Sequence, residues 1–240
     1  MLSSKNITTN TGNKYPTSKI LSLGNHLVSL RGLELQYAGY DKGENPDVTV
    51  VLSLEGPDQG PDFEGALRDY DNPNKGTYKG QFAKVRIAPF YFSNKPSRAG
   101  KQRDRDLETL RSLTNLADTL GVRDTLDTIE ANTLDEYVAA ASHVLVSAEK
   151  KLHVIIGGKK YFRQNDDGEF QPRYERYLPI PQAGKKAYAV EGNEELVEQY
   201  NPDTHIYMAA KDKEIEANLK GGSVSSEKTA EKDVNWEFNV

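Results

Sequence analysis

The order in which two hydrophobic periods alternate constrains the fold of this 240-residue chain more than any other feature. Stretches with a two-residue period come first, a stretch with helical spacing interrupts them, and strand-like stretches then return. His26 to Tyr37 alternates apolar and polar residues in its second half, which is the period of a half-buried strand. Its length and Gly32 predict a bent strand, because glycine tolerates the curl of a small closed sheet. Asn45-Pro46-Asp47 makes a turn, and Val48-Thr49-Val50-Val51-Leu52-Ser53-Leu54 is a β-branched second strand. Residues 55 to 77 are crowded with Gly, Pro, Asp and Asn and read as a loop, with one short strand near Phe63 to Leu67. Tyr78 to Phe92 is a third strand region, which Pro89 ends or marks as an edge.

The middle of the chain changes period. Leu107, Leu110, Leu113 and Leu116 recur every third residue, and with Leu120 they make one helix face that Gly121 is placed to cap. Thr133 and Glu136 have capping-box spacing, so a second helix is expected from there toward Val146. Leu152 to Ile156 and Lys160 to Arg163 then read as strands joined by a compact turn at Gly157-Gly158. After a turn at Asp166-Asp167-Gly168, Arg173 to Ile180 is expected as the last strand, closed by Pro179 and Pro181. Three strands, helices and two or three more strands predict a mainly β fold. The expected architecture is an OB-type Greek-key β-barrel with its helical insert, about residues 102–147, between the third and fourth strands. The expected division is a flexible arm over 1–19, this domain over 20–188, and a largely flexible acidic tail over 189–240 that ends in an aromatic tip.

Charge is segregated along the chain. The net charge is -5, but residues 150 to 188 carry nine Lys/Arg against four Asp/Glu. Residues 189 to 240 carry five against twelve. A basic segment followed by an acidic tail is informative where the total is not. There is no cysteine, which removes disulfides, thiolate metal sites and cysteine nucleophiles together and fits a reducing cytoplasm. Residues 1 to 16 have no apolar run of the secretory type, and no stretch approaches the ~18 apolar residues of a spanning helix. A cytoplasmic protein with no membrane partner is therefore expected.

The basic segment is also aromatic. Its cations are interleaved with Tyr161, Phe162, Phe170, Tyr174, Tyr177 and Tyr188. Binding single strands without sequence preference needs cations for the phosphates and flat rings for the bases. Tyr161, Tyr174 and Tyr177 are the expected stacking platforms. Lys79, Lys159, Lys160, Arg163, Arg173 and Arg176 are the expected phosphate contacts. The ordinary alternative for each ring is a place in the core. Arg98, Lys101, Arg103 and Arg105 make a second basic cluster, interrupted by Asp104 and Asp106, that would extend a phosphate track or simply solvate a helix start.

Trp236 and Phe238 flank Glu237 near the acidic end of the chain and are the expected partner-docking residues. Patterns for catalysis are poor. His26, His143, His153 and His205 lack metal-ligand spacing, and no phosphate-cradling loop, nucleophile elbow or dinucleotide fingerprint occurs. Glu55, Asp58, Asp62, Glu64, Asp69 and Asp71 could gather round a divalent ion, but the glycines and prolines among them fit solvated turns better. No enzyme activity, cofactor or metal is expected.

Several short motifs together resemble one family. They are Leu54-Glu55 followed by Phe63-Glu64-Gly65, then Asp71-Asn72-Pro73 with Gly76, and Tyr78-Lys79-Gly80-Gln81 with Val85. Arg105-Asp106 opening the leucine-rich helix, Gly121, Ile156-Gly157-Gly158-Lys159-Lys160-Tyr161 and Tyr177-Leu178-Pro179 follow in order. From about Gly24 to Pro181 the chain resembles the single-stranded DNA-binding proteins of crAss-like bacteriophages, and departs from them in its lack of cysteine and its long extension after Pro181. The resemblance implies an OB-fold protein that coats single-stranded DNA during phage replication or recombination without catalysis. The acidic tail would then recruit replication or recombination partners. The rivals are a phage structural or assembly protein whose barrel mediates protein contacts, and a metal-dependent nuclease built on the acidic loop.

Overall fold

The computed structural model describes residues 18–41, 43, 45–67, 76–97 and 100–221. The described residues fall into two compact units: those within Met1–Lys159 and Tyr174–Tyr207 form the larger, and those within Lys160–Arg173 and Met208–Val240 the smaller.

The larger unit is built on a closed run of strands. β1 (Gly24–Tyr37) is long enough to serve two neighbours. Its second half pairs antiparallel with β2 (Val48–Glu55), from Ser29↔Glu55 to Tyr37↔Val48. Its first half pairs antiparallel with β4 (Lys151–Gln164), from Gly24↔Ile156 to Ser29↔Lys151. The register slips between Leu30 and Gly32, and this bulge re-aims the strand from one neighbour to the other. β2 pairs antiparallel with β3 (Phe82–Arg86), which meets β5 (Phe170–Tyr177) in parallel at Arg86↔Tyr177. The order β1-β2-β3-β5-β4, with β4 back on β1, is a ring of five strands. β6 (Tyr188–Val190) and β7 (Ile206–Met208) both pair with β4. The fold is sheet-rich, with helices between its third and fourth strands.

Those helices are α1 (Arg105–Leu120), α2 (Arg123–Leu126) and α3 (Leu134–Ser147). The Asp104 carboxylate accepts from the Leu107 N–H at 2.9 Å and so caps α1. Gly121 ends α1 at φ 71°, where its N–H reaches the carbonyls of Ala117 and Asp118. The Thr133 hydroxyl caps α3 by accepting from the Glu136 N–H at 3.2 Å. A three-residue repeat drifts off a 3.6-residue helix, so the leucine stripe does not stay buried throughout. Leu107 is half in solvent, while Thr109, Leu113, Leu116, Ala117 and Leu120 face inward. Leu113, Leu116, Ala117 and Leu120 join Val28, Leu52, Leu54, Val85, Val154 and Ile156 in one core between the helices and the ring. Each fully buried leucine there contributes roughly 1.5–3 kcal/mol. β2 is buried at every position but Ser53, because this core covers one face and Val48 joins Ala88 and Phe92 in a second cluster.

Four expectations are corrected. Gly157-Gly158 is not a turn, because β4 runs straight through it to Gln164. Those glycines serve close approach: a side chain on Gly157 would sit 2.9 Å from the His205 carbonyl oxygen, and one on Gly158 would sit 2.9 Å from Leu23. The last expected strand ends at Tyr177 rather than Ile180, since Pro179 and Pro181 offer no N–H to a ladder. The third strand region regularises only over Phe82–Arg86, and the expected short strand near Leu67 is a single bridge to Thr77.

The fourth correction concerns the stretch after residue 188. Residues 189 to 221 are folded, not a flexible tail. β6 pairs Leu152↔Val190 to Val154↔Tyr188, and Ala189 and Val197 bury against Ile155. α4 (Pro202–His205) brings His205 to 3.3 Å from the buried Glu198 carboxylate. Burial of these few apolar groups, with the Gln182 N–H donating to the Glu198 carboxylate at 2.8 Å, outweighs the polar composition. In the smaller unit, α5 (Ala210–Gly221) supplies Glu216, which pairs with Lys160 at 2.6 Å, and Asp212, which accepts from the Phe162 N–H at 2.9 Å. The expected arm over 1–17 and the stretch 222–240 lie outside the described residues. No helix among the described residues is long and apolar enough to cross a membrane.

Candidate nucleic-acid interface

A groove of about 270 Å³ opens on the face formed by β1, β2, β3 and β5. Its floor follows from strand register. Glu34 pairs with Val51 and Val51 with Arg86, so the three stand in one row on one face. Lys84 stands two residues from Arg86 on that face, and Ala83 and Val85 point into the core. Gln36, Tyr91, Tyr174, Glu175 and Arg176 complete the lining.

The cations of the groove are held. Lys84 meets Glu34 at 2.7 Å. Arg86 meets Glu175 at 3.3 Å and lies 5.3 Å from the Tyr91 ring centre and 6.0 Å from that of Tyr177. Both rings are within cation–π range. Arg176 donates from Nε to the Leu21 carbonyl at 3.0 Å, and burial lowers its pKa from the ordinary arginine value. Tyr91 receives Tyr40 edge-on, at 6.0 Å and 84°. Tyr40 is largely exposed and donates from its hydroxyl to Asp47 at 3.2 Å. The arrangement is a strip of rings and cations with two carboxylates set into it.

Of the residues expected to bind, Tyr174 and Arg176 line this groove. Tyr177 does not present a stacking face. It is 8% exposed, burial raises its hydroxyl pKa, and that hydroxyl donates to the Gly158 carbonyl at 3.4 Å. Its ring supports Arg86 instead, which corrects its expected role. Lys79 is exposed beside a different groove, of about 550 Å³, with Gln59, Phe63 and Tyr78. Lys159 is half-buried on β4. Lys160, Tyr161, Arg163 and Arg173 belong to the smaller unit. There Lys160 is committed to Glu216 and lies 5.3 Å from the Phe162 ring centre, so it is not an open phosphate contact. Tyr161 is half-buried, whereas Arg163 and Arg173 are exposed. Trp236 and Phe238 lie outside the described residues, as does Arg98.

In the second basic cluster, Arg105 is buried and donates to the Pro46 carbonyl at 2.8 Å. Arg103 faces Glu108 at 3.6 Å and sits over the Phe90 ring. Both brace the start of α1 rather than extend a phosphate track. Lys84, Arg86 and Tyr91 escaped sequence reasoning. The alternation Ala83-Lys84-Val85-Arg86 held the information, since two buried apolar residues at that spacing force both cations to the outer face.

Among the described residues the carboxylates of the acidic loop do not converge. Glu55 is 2% exposed and accepts from Arg31 Nε at 2.5 Å and from the N–H groups of Lys79 and Gly80 at 2.6 and 3.2 Å. Glu64 is splayed outward toward Lys19, and Asp69 and Asp71 lie outside the described residues. Among the described residues no three His, Asp or Glu side chains gather as metal ligands would. His26 bonds the Ser22 carbonyl, His153 faces Glu194, His205 faces Glu198, and His143 is exposed. No family model matches the chain, and neither does any curated protein or solved structure.

Proposed function

We propose that this protein binds single-stranded DNA on the β1-β2-β3-β5 face of an OB-type ring, without catalysis, in phage DNA replication or recombination. The observation that carries the reading is the groove that gathers Lys84, Arg86, Tyr91, Tyr174 and Arg176. OB-type domains bind oligonucleotides on the face of their second and third strands. A five-strand ring with helices between the third and fourth strands and a parallel third–fifth contact agrees with that type. The phage setting rests on the family resemblance of the sequence. Recruitment of replication or recombination partners rests on the acidic, aromatic composition around Trp236 and Phe238.

Fluorescence anisotropy with labelled single-stranded DNA, duplex DNA and RNA across a salt series tests the reading. Affinity for single strands should fall as a power of salt concentration, about 0.7 per phosphate contact. Duplex of equal length should bind more weakly, because its stacked bases cannot reach the rings. Tyr91→Ala or Tyr174→Ala should cost roughly 1–3 kcal/mol of binding with little change in melting temperature. Salt-insensitive binding or a preference for duplex would reject the reading. Self-association without DNA binding would favour the assembly rival.

A further inference from the structure

Resting on the single-strand reading of this groove, we propose that Glu34 and Glu175 make it select bases that carry exocyclic amino groups (cytosine, adenine and guanine) over thymine. The two ion pairs differ in what they show to solvent. The Arg86 side chain is 12% exposed, whereas that of Glu175 is 47% exposed. Glu34 and its partner Lys84 are both open, at 51% and 56% exposed. In the Arg86 pair the cation is shielded against the Tyr91 and Tyr177 rings and the carboxylate is the open end.

A phosphate approaching Arg86 therefore meets like charge only 3.3 Å from the guanidinium. What the open end of the Arg86 pair offers a strand is hydrogen-bond acceptors, and Glu34 offers them beside the open Lys84 ammonium. An ionised carboxylate is acceptor-only, with about four lone-pair positions. Arg86 takes one on Glu175 and Lys84 takes one on Glu34. Gln36, two residues from Glu34 on the same strand, adds an amide on the same face.

Cytosine N4, adenine N6 and guanine N1 and N2 present donors to such acceptors, and Glu accepting from cytosine N4 is an established pairing. Thymine presents one N–H between two carbonyl oxygens, whose lone pairs oppose a carboxylate. A site built to accept from an amino group discriminates against a base whose single N–H is flanked by opposing carbonyl oxygens, because its acceptors stay poorly paired. The bases then lie against Glu34 and Glu175, with Tyr91 and Tyr174 beside them.

The test is anisotropy of the full-length protein with labelled oligo(dC), oligo(dA) and oligo(dT) of equal length, beside Glu34→Gln, Glu175→Gln and the double variant. Each variant keeps a side-chain oxygen for Lys84 or Arg86, and thermal melts report whether it folds. Wild type should bind oligo(dC) and oligo(dA) about tenfold more tightly than oligo(dT), the size of one charge-assisted hydrogen bond. The variants should close the gap by gaining affinity for oligo(dT), since an amide N–H donates to thymine oxygens. Equal or tighter oligo(dT) binding by wild type overturns the proposal, and that comparison needs no variant. A uniform gain for all three oligonucleotides also overturns it, because the carboxylates would then act only by repulsion. Failure of wild type to bind any oligonucleotide removes the single-strand reading itself.

Discussion

Tyr174 and Tyr177 stand three residues apart on β5 and have opposite fates. Register sets Tyr177 opposite Arg86, and its ring packs against that guanidinium instead of opening to solvent. Tyr174 lines the groove, and Tyr177 lies buried under Arg86. The sequence placed both rings on the same strand, and burial rather than strand parity separates them, since Glu175, an even step from Tyr177, lines the groove. Which of the two faces outward depended on contacts from Gly158 and Arg86, far along the chain or on another strand. Tyr177→Ala should destabilise by about 3–5 kcal/mol, as truncation of a buried aromatic does. A thermal or urea melt reads the loss. Tyr174→Ala should lower affinity for single strands and leave the melt nearly unchanged. A Tyr177→Ala protein that melts like wild type would show that the ring contributes no core packing.

The elements differ in how far their causes reach along the chain. α1 was legible because both of its ends are set by neighbours: Asp104 accepts the Leu107 N–H, and Gly121 takes the left-handed conformation at φ 71°. Asp104→Ala should cost about 1 kcal/mol by leaving that N–H without its cap. Gly121→Ala should also destabilise, by about 1 kcal/mol or more, since a side chain at positive φ is strained and its Cβ would meet Lys150 Nζ at 3.1 Å. Melts of the two single variants and the double variant check both. The caps stand at opposite ends of one helix, so their effects should add. β4 was misread at Gly157-Gly158 because the need for glycine there is imposed by His205 and Leu23, which no local pattern announces. β6 was missed for the same reason: three residues become a strand only when β4 offers an edge. The five-strand ring was legible as strand order, and its closure depended on one bulge at Gly32.

At the scale of the whole molecule, acid should weaken the fold in two stages. Burial holds His26 below its ordinary 6.5, with the Arg176 charge adding to the effect and the Ser22 hydrogen bond opposing it. The unfolded chain then takes up this proton more readily than the native protein. Stability from His26 is therefore full above 6.5 and is lost as pH falls through the lower native value. Asp41 is held below its ordinary 3.8, first by its hydrogen bond from Lys95. Glu216 is held below its ordinary 4.5, first by its hydrogen bond from Lys160. Both carboxylates therefore contribute stability above those values and lose it only in stronger acid. Melting temperature followed from about pH 8 to about pH 3 should show one decline beginning near 6.5 and a second beginning near 4.5. His26→Gln keeps a donor for the Ser22 carbonyl but cannot titrate, so it should flatten the first decline and leave the second intact. Melting temperatures that fall together in wild type and variant between about pH 6.5 and 5 would assign the first stage to another group. Because Arg176 also lines the groove, the first decline should be accompanied by a change in single-strand affinity in wild type and by none in His26→Gln. That coupling would tie the proton on His26 to the binding face through the Arg176 guanidinium, which acts on His26 and lines the groove.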